Sequence, residues 1–227
     1  MKVSIITPSF NSTKFIRATY QSIHNQSHQN WEWLVTDDCS TDDSWSLLSE
    51  WAKEDCRVKP QLNNKNSGAA VSRNNAIKRA EGDILAFLDS DDIWLPTKLE
   101  QHLAFMEKHN ANLSFTPYYL IDENGKDLNI LIDEACSGTY NYEDMLKKQA
   151  TMGCCTVMVR KNAFPSLTMP LIRAGQDYAL WLKLLKNQTC AHLFDIPLSK
   201  YRLVSGSLSR NKYKKALRIW HVYREIE

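Results

Sequence analysis

Three carboxylates, Asp89, Asp91 and Asp92, fall within four residues at the end of the apolar run 84–88. Like charges this close repel one another unless a cation neutralises them. A hard divalent ion such as Mg²⁺ or Mn²⁺ takes one or two carboxylates together with substrate phosphates. Asp89 and Asp91 are the expected pair for that work, while Asp92 reads equally as a third functional carboxylate or as a helix cap or solvated turn residue. A second acidic pair, Asp37 and Asp38, follows the apolar run 31–36. A carboxylate at such a tip suits an imide N–H or a ribose hydroxyl. Asp38 is the one left for it, because Ser40 and Asp43 have the spacing of a helix capping box. Phe10 follows a third apolar run, 3–7, and reads either as a base-stacking ring or as a satellite core residue. Pro8 and Ser90 belong to the same set of loops. Lys65, Arg73 and Asn74 lie in the segment 64–74, where a basic residue could meet a diphosphate, and Arg73 is the one expected to do so. Asp177 opens an apolar helix, where the helix dipole alone is reason enough for a carboxylate.

These loops need elements that bring them together. Runs 3–7, 31–36 and 84–88 read as buried strands, and 57–62 as a weaker strand whose Pro60 points to a sheet edge. Helical spacing separates them. One helix carries Phe15, Ile16, Thr19, Tyr20 and Ile23, with Ser12 or Thr13 as its cap. A second opens at Ser40 and carries Trp45, Leu48 and Trp51. A third spans 69–80 with Val71 and Ile77. A fourth follows Pro96, which suits a first helical turn, and carries Leu99, Leu103 and Met106. Alternation of strand and helix implies an α/β fold, a mostly parallel central sheet flanked by helices. Ligands of such sheets bind beyond the carboxyl ends of the strands, where all three polar clusters fall. Past residue 110 the expectations are a strand over 113–121, a turn over 122–126, a strand over 155–160 and a helix over 175–185. The tail, 212–227, reads as a helix packed on the body, or as one lying on a membrane surface or a partner.

Composition narrows the class. With 43% hydrophobic and 24% charged residues the chain is of the soluble globular kind, and a net charge of +2 argues against nucleic-acid binding by bulk electrostatics. The six cysteines make no C-x-x-C pair and the six histidines no metal-spaced pair, so the thiols are expected to be reduced and zinc absent. No apolar run reaches the roughly 18–20 residues of a membrane span, and the N-terminus is too short in apolar residues for a signal peptide. A cytoplasmic protein is therefore expected.

Taken in order, VSIITPSFN, VTDDCSTDDS, NSGAAVSRNNAI and FLDSDDIWLP resemble the motifs of the GT-A-fold glycosyltransferases of family 2. GQDY at 175–178 and KYR at 200–202 extend the resemblance over about residues 1–210. The resemblance implies a Rossmann-like GT-A fold in one domain, 1–227. Its parts would be a nucleotide-sugar-binding half (1–110), an acceptor and catalytic half (111–210) and a C-terminal helix (211–227). It also implies an inverting transferase that uses a nucleotide-sugar donor, often a UDP-sugar, with Mn²⁺ or Mg²⁺. The acceptor would be a saccharide or a lipid-linked saccharide of a bacterial surface polysaccharide such as capsule or lipopolysaccharide. Peripheral contact with the inner face of the membrane would follow from such an acceptor. By position, Asp38 resembles the base-recognising residue and Phe10 the aromatic packed on the base. Asp91 resembles the metal ligand, Asp89 the residue holding ribose or a metal-bound water, and Asp177 the catalytic base. Two departures stand out: Gln176 replaces a usual Glu, and Leu203 and Val204 follow Tyr-Arg where relatives place a histidine. The Q-x-x-R-W signature of processive synthases is absent, which implies one sugar per encounter. Two rival classes are a nucleotidyltransferase, disfavoured by the Pro8–Asn11 loop that lacks glycine, and a non-catalytic nucleotide-sugar module.

Overall fold

Buried apolar runs at both faces of a strand demand cover on both sides, and the fold supplies it. The computed structural model describes residues 1–186 and 189–204, with Val222 and Arg224. In chain order the elements are β1 (Val3–Ser9), α1 (Ile16–His24), β2 (Trp31–Asp37), α2 (Ser44–Glu54), β3 (Gln61–Leu62), α3 (Ala69–Arg79), β4 (Ile84–Phe87), β5 (Ile93–Trp94) and α4 (Lys98–Lys108). They continue as β6 (Leu113–Phe115), β7 (Tyr118–Ile121), β8 (Asp127–Ile132), β9 (Thr139–Tyr140), α5 (Tyr142–Leu146), β10 (Met158–Arg160), α6 (Gln176–Leu185), β11 (Ala191–Leu193) and β12 (Ser199–Arg202).

Among the described residues, one sheet runs β3-β2-β1-β4-β10-β6-β11-β9 and a second runs β5-β12-β7-β8. β3, β2, β1 and β4 are mutually parallel, as the strand–helix alternation requires. β10 lies antiparallel to both β4 and β6, and β9 antiparallel to β11. The sheet is thus parallel in its first half and mixed in its second.

Successive residues of each strand face opposite ways, and the core divides accordingly. Ile6, Leu34, Leu85 and Phe87 pack with Ala70 and Ala76 of α3 and the apolar face of α6. Ile5, Trp33, Val35 and Ala86 pack with Ile16 and Ile23, with Leu48 and Trp51, and with Leu99, Leu103 and Met106 of α4. The apolar stripe expected for α4 is therefore the buried one. The crossover into β4 passes close over β1: a Cβ on Gly82 would stand 2.7 Å from the Lys2 carbonyl oxygen and from Ser4 N and Oγ.

Several boundaries differ from the sequence pattern, each for a local reason. The expected strand 113–121 breaks at Thr116 and Pro117. Pro117 has no N–H for a ladder, and the chain leaves the large sheet as β6 and enters the second as β7. Of 155–160 only β10 is strand, because Cys154–Thr156 forms a 3₁₀ turn. Of 57–62 only β3 pairs as a strand, at the sheet edge, with Val58 adding one bridge to Trp33. The capping box at Ser40 does not form, since the buried Asp37 carboxylate captures both the Ser40 hydroxyl (2.6 Å) and its N–H (2.8 Å). Asp43 occupies the N-cap position of α2 without a side-chain bond. Neither Ser12 nor Thr13 caps α1 by side chain; Phe15 holds that position, and Ser12 instead offers its carbonyl to the N–H groups of Phe15 and Ile16. Pro96 stands before the N-cap Thr97 rather than inside the first turn of α4. The expected tail helix lies outside the described residues except for Val222 and Arg224, both helical.

Candidate active site

The carboxyl ends of β1, β2 and β4 open into one cleft of about 460 Å³. Seven of the residues singled out from sequence line it: Pro8, Phe10, Asp38, Arg73, Asp89, Ser90 and Asp91. Asn11, Phe15, Ser72 and Val204 complete much of the wall. Asp177 does not line it, and neither does Lys65, which is exposed in the loop before α3. Asn74 serves elsewhere: its amide exchanges two 2.8 Å hydrogen bonds with the backbone of Met169.

Each wall is held by its own polar contacts. After β1 the chain turns at Asn11, which adopts a φ of 48°, a conformation Asn tolerates well. Its side-chain oxygen accepts from Thr41 N at 2.8 Å and its own N–H donates to Ser40 Oγ at 2.9 Å. Phe10 stands out at this turn, 48% exposed, which removes it from the core and leaves its ring facing the cleft. At the end of β2, Asp37 is wholly buried and serves the loop, while Asp38 reaches across to α3. Asp38 accepts from Asn63 Nδ2 (2.8 Å), from Ser67 N (2.9 and 3.0 Å to its two oxygens) and from Gly68 N (2.6 Å). These contacts place two donors on each oxygen, about the four lone-pair sites of a carboxylate, with the Ser67 N–H shared between the two, so a further donor would take the place of one half of that shared bond.

Arg73 crosses the floor. It is buried, donates from Nη2 to Asp89 Oδ1, and has two further nitrogens, Nε and Nη1, buried without a partner. Burial works against its charge, but Asp89, Cys154 and Asp177 around it prevail and hold its pKa above the ordinary value. Two buried nitrogens of a cation without acceptors are costly, and Arg73 lines the cleft, where an anionic ligand would satisfy them.

The acidic loop divides by environment. Asp89 is committed to Arg73. Burial, and then the Asp89 charge, push Asp91 up to about 6. Asp92 is buried and does not cap a helix: its Oδ1 accepts from Arg202 N at 2.9 Å and its Oδ2 has no partner. Burial, then Asp91 and Asp89, raise it well above the carboxylate range. Among the described residues no group of three or more His, Cys, Asp or Glu is arranged to enclose a metal. A cation here would therefore take one or two carboxylates and complete its shell with ligand oxygens, the habit of Mg²⁺ and Mn²⁺. The all-oxygen donors and the unrelieved repulsion fit such an ion, with Asp91 the better ligand because Asp89 is already paired.

Asp177 occupies the first turn of α6, entered through Gly175 at a φ of 79°. A left-handed turn of this kind favours glycine. Burial raises the Asp177 pKa, and Arg73 and the Tyr178 N–H oppose the rise. Burial is the largest of these influences, and the Asp89 charge adds to the rise.

Arg202 was not among the residues singled out. Its Nε donates to the Asp91 carbonyl at 2.8 Å, and its Nη1 to the carbonyls of Asp122 (3.3 Å) and Glu123 (3.2 Å). The KYR motif was the one signal that marked it, and 111 residues separate it from Asp91. All six cysteines are free.

Residues 4–167 match the family described as Glycosyl transferase family 2. The chain is 45% identical over 225 residues to the putative teichuronic acid biosynthesis glycosyltransferase TuaG of Bacillus subtilis, covering 99% of this chain and 88% of that one. It is 38% identical over 221 residues to the UDP-Glc:alpha-D-GlcNAc-diphosphoundecaprenol beta-1,3-glucosyltransferase WfgD of Escherichia coli, covering 97% and 84%. Among solved structures, S. aureus TarS 1-349 in complex with UDP-GlcNAc superposes with a TM-score of 0.82 at 22% identity, over 100% of this chain and 65% of that one. The mannosyltransferase PcManGT from Pyrobaculum calidifontis, in complex with GDP-Man and Mn2+, gives 0.74 at 16% identity, over 99% and 63%. At such identities the likeness is one of fold, and this chain spans less than two thirds of either solved chain's length.

Proposed function

The chain belongs to glycosyl transferase family 2 and has the GT-A fold, and from that premise we propose that it transfers a sugar, with inversion, from a UDP-sugar to a saccharide or lipid-linked acceptor of a bacterial surface polysaccharide. The observation that carries the reading is the cleft that gathers Phe10, Asp38, Arg73, Asp89 and Asp91, with two buried Arg73 nitrogens lacking acceptors. The names of the relatives support the substrate class: WfgD acts with UDP-glucose on a diphosphoundecaprenol-linked sugar, and TuaG is assigned to teichuronic acid.

In this reading residues 1–110 bind the donor and 111–210 the acceptor. The exposed Phe10 ring stacks on the base, and Asp38 accepts its imide N–H in place of one half of the bond it shares with Ser67 N. Pro8 and Ser90 line the nucleotide, and Arg73 offers its two N–H groups to the diphosphate. Asp91, with Asp89 beside it, holds Mn²⁺ or Mg²⁺. When bound, that ion supplies Lewis-acid stabilisation of the departing diphosphate. Asp177 takes the proton of the acceptor hydroxyl as the oxygen attacks the anomeric carbon, a contribution of typically ~10²–10⁴-fold. Its half-buried carboxylate is the more basic for being partly desolvated. No described helix is long and apolar enough to cross a membrane. We place the enzyme in the cytoplasm, meeting a lipid-linked acceptor at the inner membrane face, with no nucleic-acid partner.

Thermal unfolding with UDP-sugars, with and without Mn²⁺, combined with a transfer assay, tests this. A ligand bound only by the folded state raises the midpoint by mass action. Asp177→Asn should keep that shift and lose transfer by at least about a hundredfold. No shift with any nucleotide would overturn the donor reading. A shift without transfer by the natural chain would make it a binding module.

A further inference from the structure

We infer that Arg202 is a positioning residue for Asp91, bracing the acidic loop from outside the cleft. This rests on the reading of Asp91 as the cation ligand. Arg202 is buried at the end of β12, 6% exposed. Its backbone N–H fixes Asp92 Oδ1, and its Nε fixes the Asp91 carbonyl at 2.8 Å. The other arm of the guanidinium, Nη1, is anchored on Asp122 and Glu123 in the turn between β7 and β8. Its face lies over the Phe15 ring, 5.1 Å from the centroid, and Phe15 lines the cleft.

One planar cation thus joins the acidic loop, the 122–125 turn and the entry to α1. None of these hydrogen bonds uses the Asp91 carboxylate, whose oxygens stay available for a ligand. What Arg202 fixes is the peptide that carries it. The fork suits this role, because an arginine presents five donors in a fixed plane and a lysine only a single flexible ammonium. The turn is shaped to receive it. Gly125 adopts a φ of 86°, and a Cβ there would lie 3.4 Å from Arg202 Nη1. Any side chain at 125 therefore strains the turn that anchors the guanidinium.

The test measures UDP binding by calorimetry and Mn²⁺ binding to the UDP complex by the electron-spin signal of free Mn²⁺, in the natural chain and in Arg202→Lys. Groups that orient a metal ligand typically affect metal affinity by about 10–100-fold. Arg202→Lys should weaken Mn²⁺ binding by that factor and leave metal-free UDP affinity within about twofold. Unchanged Mn²⁺ affinity overturns the inference, as does an equal loss of metal-free UDP affinity, which would give the guanidinium to the nucleotide instead. If Arg202→Lys does not melt cooperatively, Gly125→Ala carries the test, with an expected loss of about threefold in Mn²⁺ affinity and the same overturning result. A natural chain whose UDP complex binds no Mn²⁺ would overturn the cation reading itself, and this inference with it.

Discussion

At the scale of single residues, Arg73 decides most. It neutralises Asp89, leaves Asp91 as the free carboxylate of the pair, and opposes the rise in the Asp177 pKa. Arg73→Lys keeps a charge but not the fork, so the contact proposed between Nε, Nη1 and the diphosphate is lost. Hydrogen bonds to charged groups are worth ~1.5–3 kcal/mol, so UDP affinity should fall about tenfold or more in calorimetry; an unchanged affinity would remove Arg73 from the donor site. The acidic loop was legible in the sequence because three carboxylates at a strand end are costly without a reason. Phe10 was legible only as an alternative, since a ring has no polarity that tells exposure from burial. The pairing of Arg73 with Asp89 was not legible at all. It depends on how α3 crosses the sheet, and nothing in residue spacing sets that angle.

Helices and strands show the same division. β1, β2 and β4 were readable because long apolar runs leave few alternatives, and the α4 stripe because its period is unambiguous. β5, β9 and β12 were not, being short strands whose pairing is set by distant neighbours; of the second sheet only β7 was read as strand, as the end of 113–121. α4 also hides a polar network. Lys98 Nζ, fully buried, contacts His102 Nδ1 at 2.6 Å and the Thr156 carbonyl at 2.8 Å, while His102 Nε2 pairs with Ser114 Oγ at 2.8 Å. The geometry fits an ammonium donating to a neutral imidazole. Burial lowers Lys98 to about 7. Between that value and the unfolded value of about 10.4 the folded state binds fewer protons, so stability rises with pH across the window, by at most about 1.4 kcal/mol per unit. Urea unfolding at pH 7, 8.5 and 10 should show that slope in the natural chain and lose it in Lys98→Met. An identical slope in both would mean that Lys98 is not the group responsible.

Across the whole molecule the two ends of the sheet are opposites. At the amino end, buried Glu32 accepts from Ser4 Oγ, Glu81 N and Lys59 Nζ at 2.6–2.8 Å and pairs with Lys2 at 3.0 Å. Burial opposes its charge, but these partners hold it down at about 2. A depressed carboxylate contributes stability that is present above its unfolded value of about 4.3 and lost as pH falls through the folded one. With the exposed lysines discounted, Glu32→Gln should cost about 2 kcal/mol at pH 7 and much less near pH 2, measured by urea unfolding at both; equal costs would deny the ion cluster its role. At the carboxyl end, carboxylates and guanidinium nitrogens stay unsatisfied, the usual mark of a site that trades stability for binding. Asp91 is made early in synthesis and its brace 111 residues later. The emerging chain therefore carries its acidic loop unbraced until β12 leaves the ribosome and docks between β5 and β7. Such long-range contacts are the slow ones in folding, so the brace on the acidic loop forms as a late event, and a chain stopped after β11 would lack it.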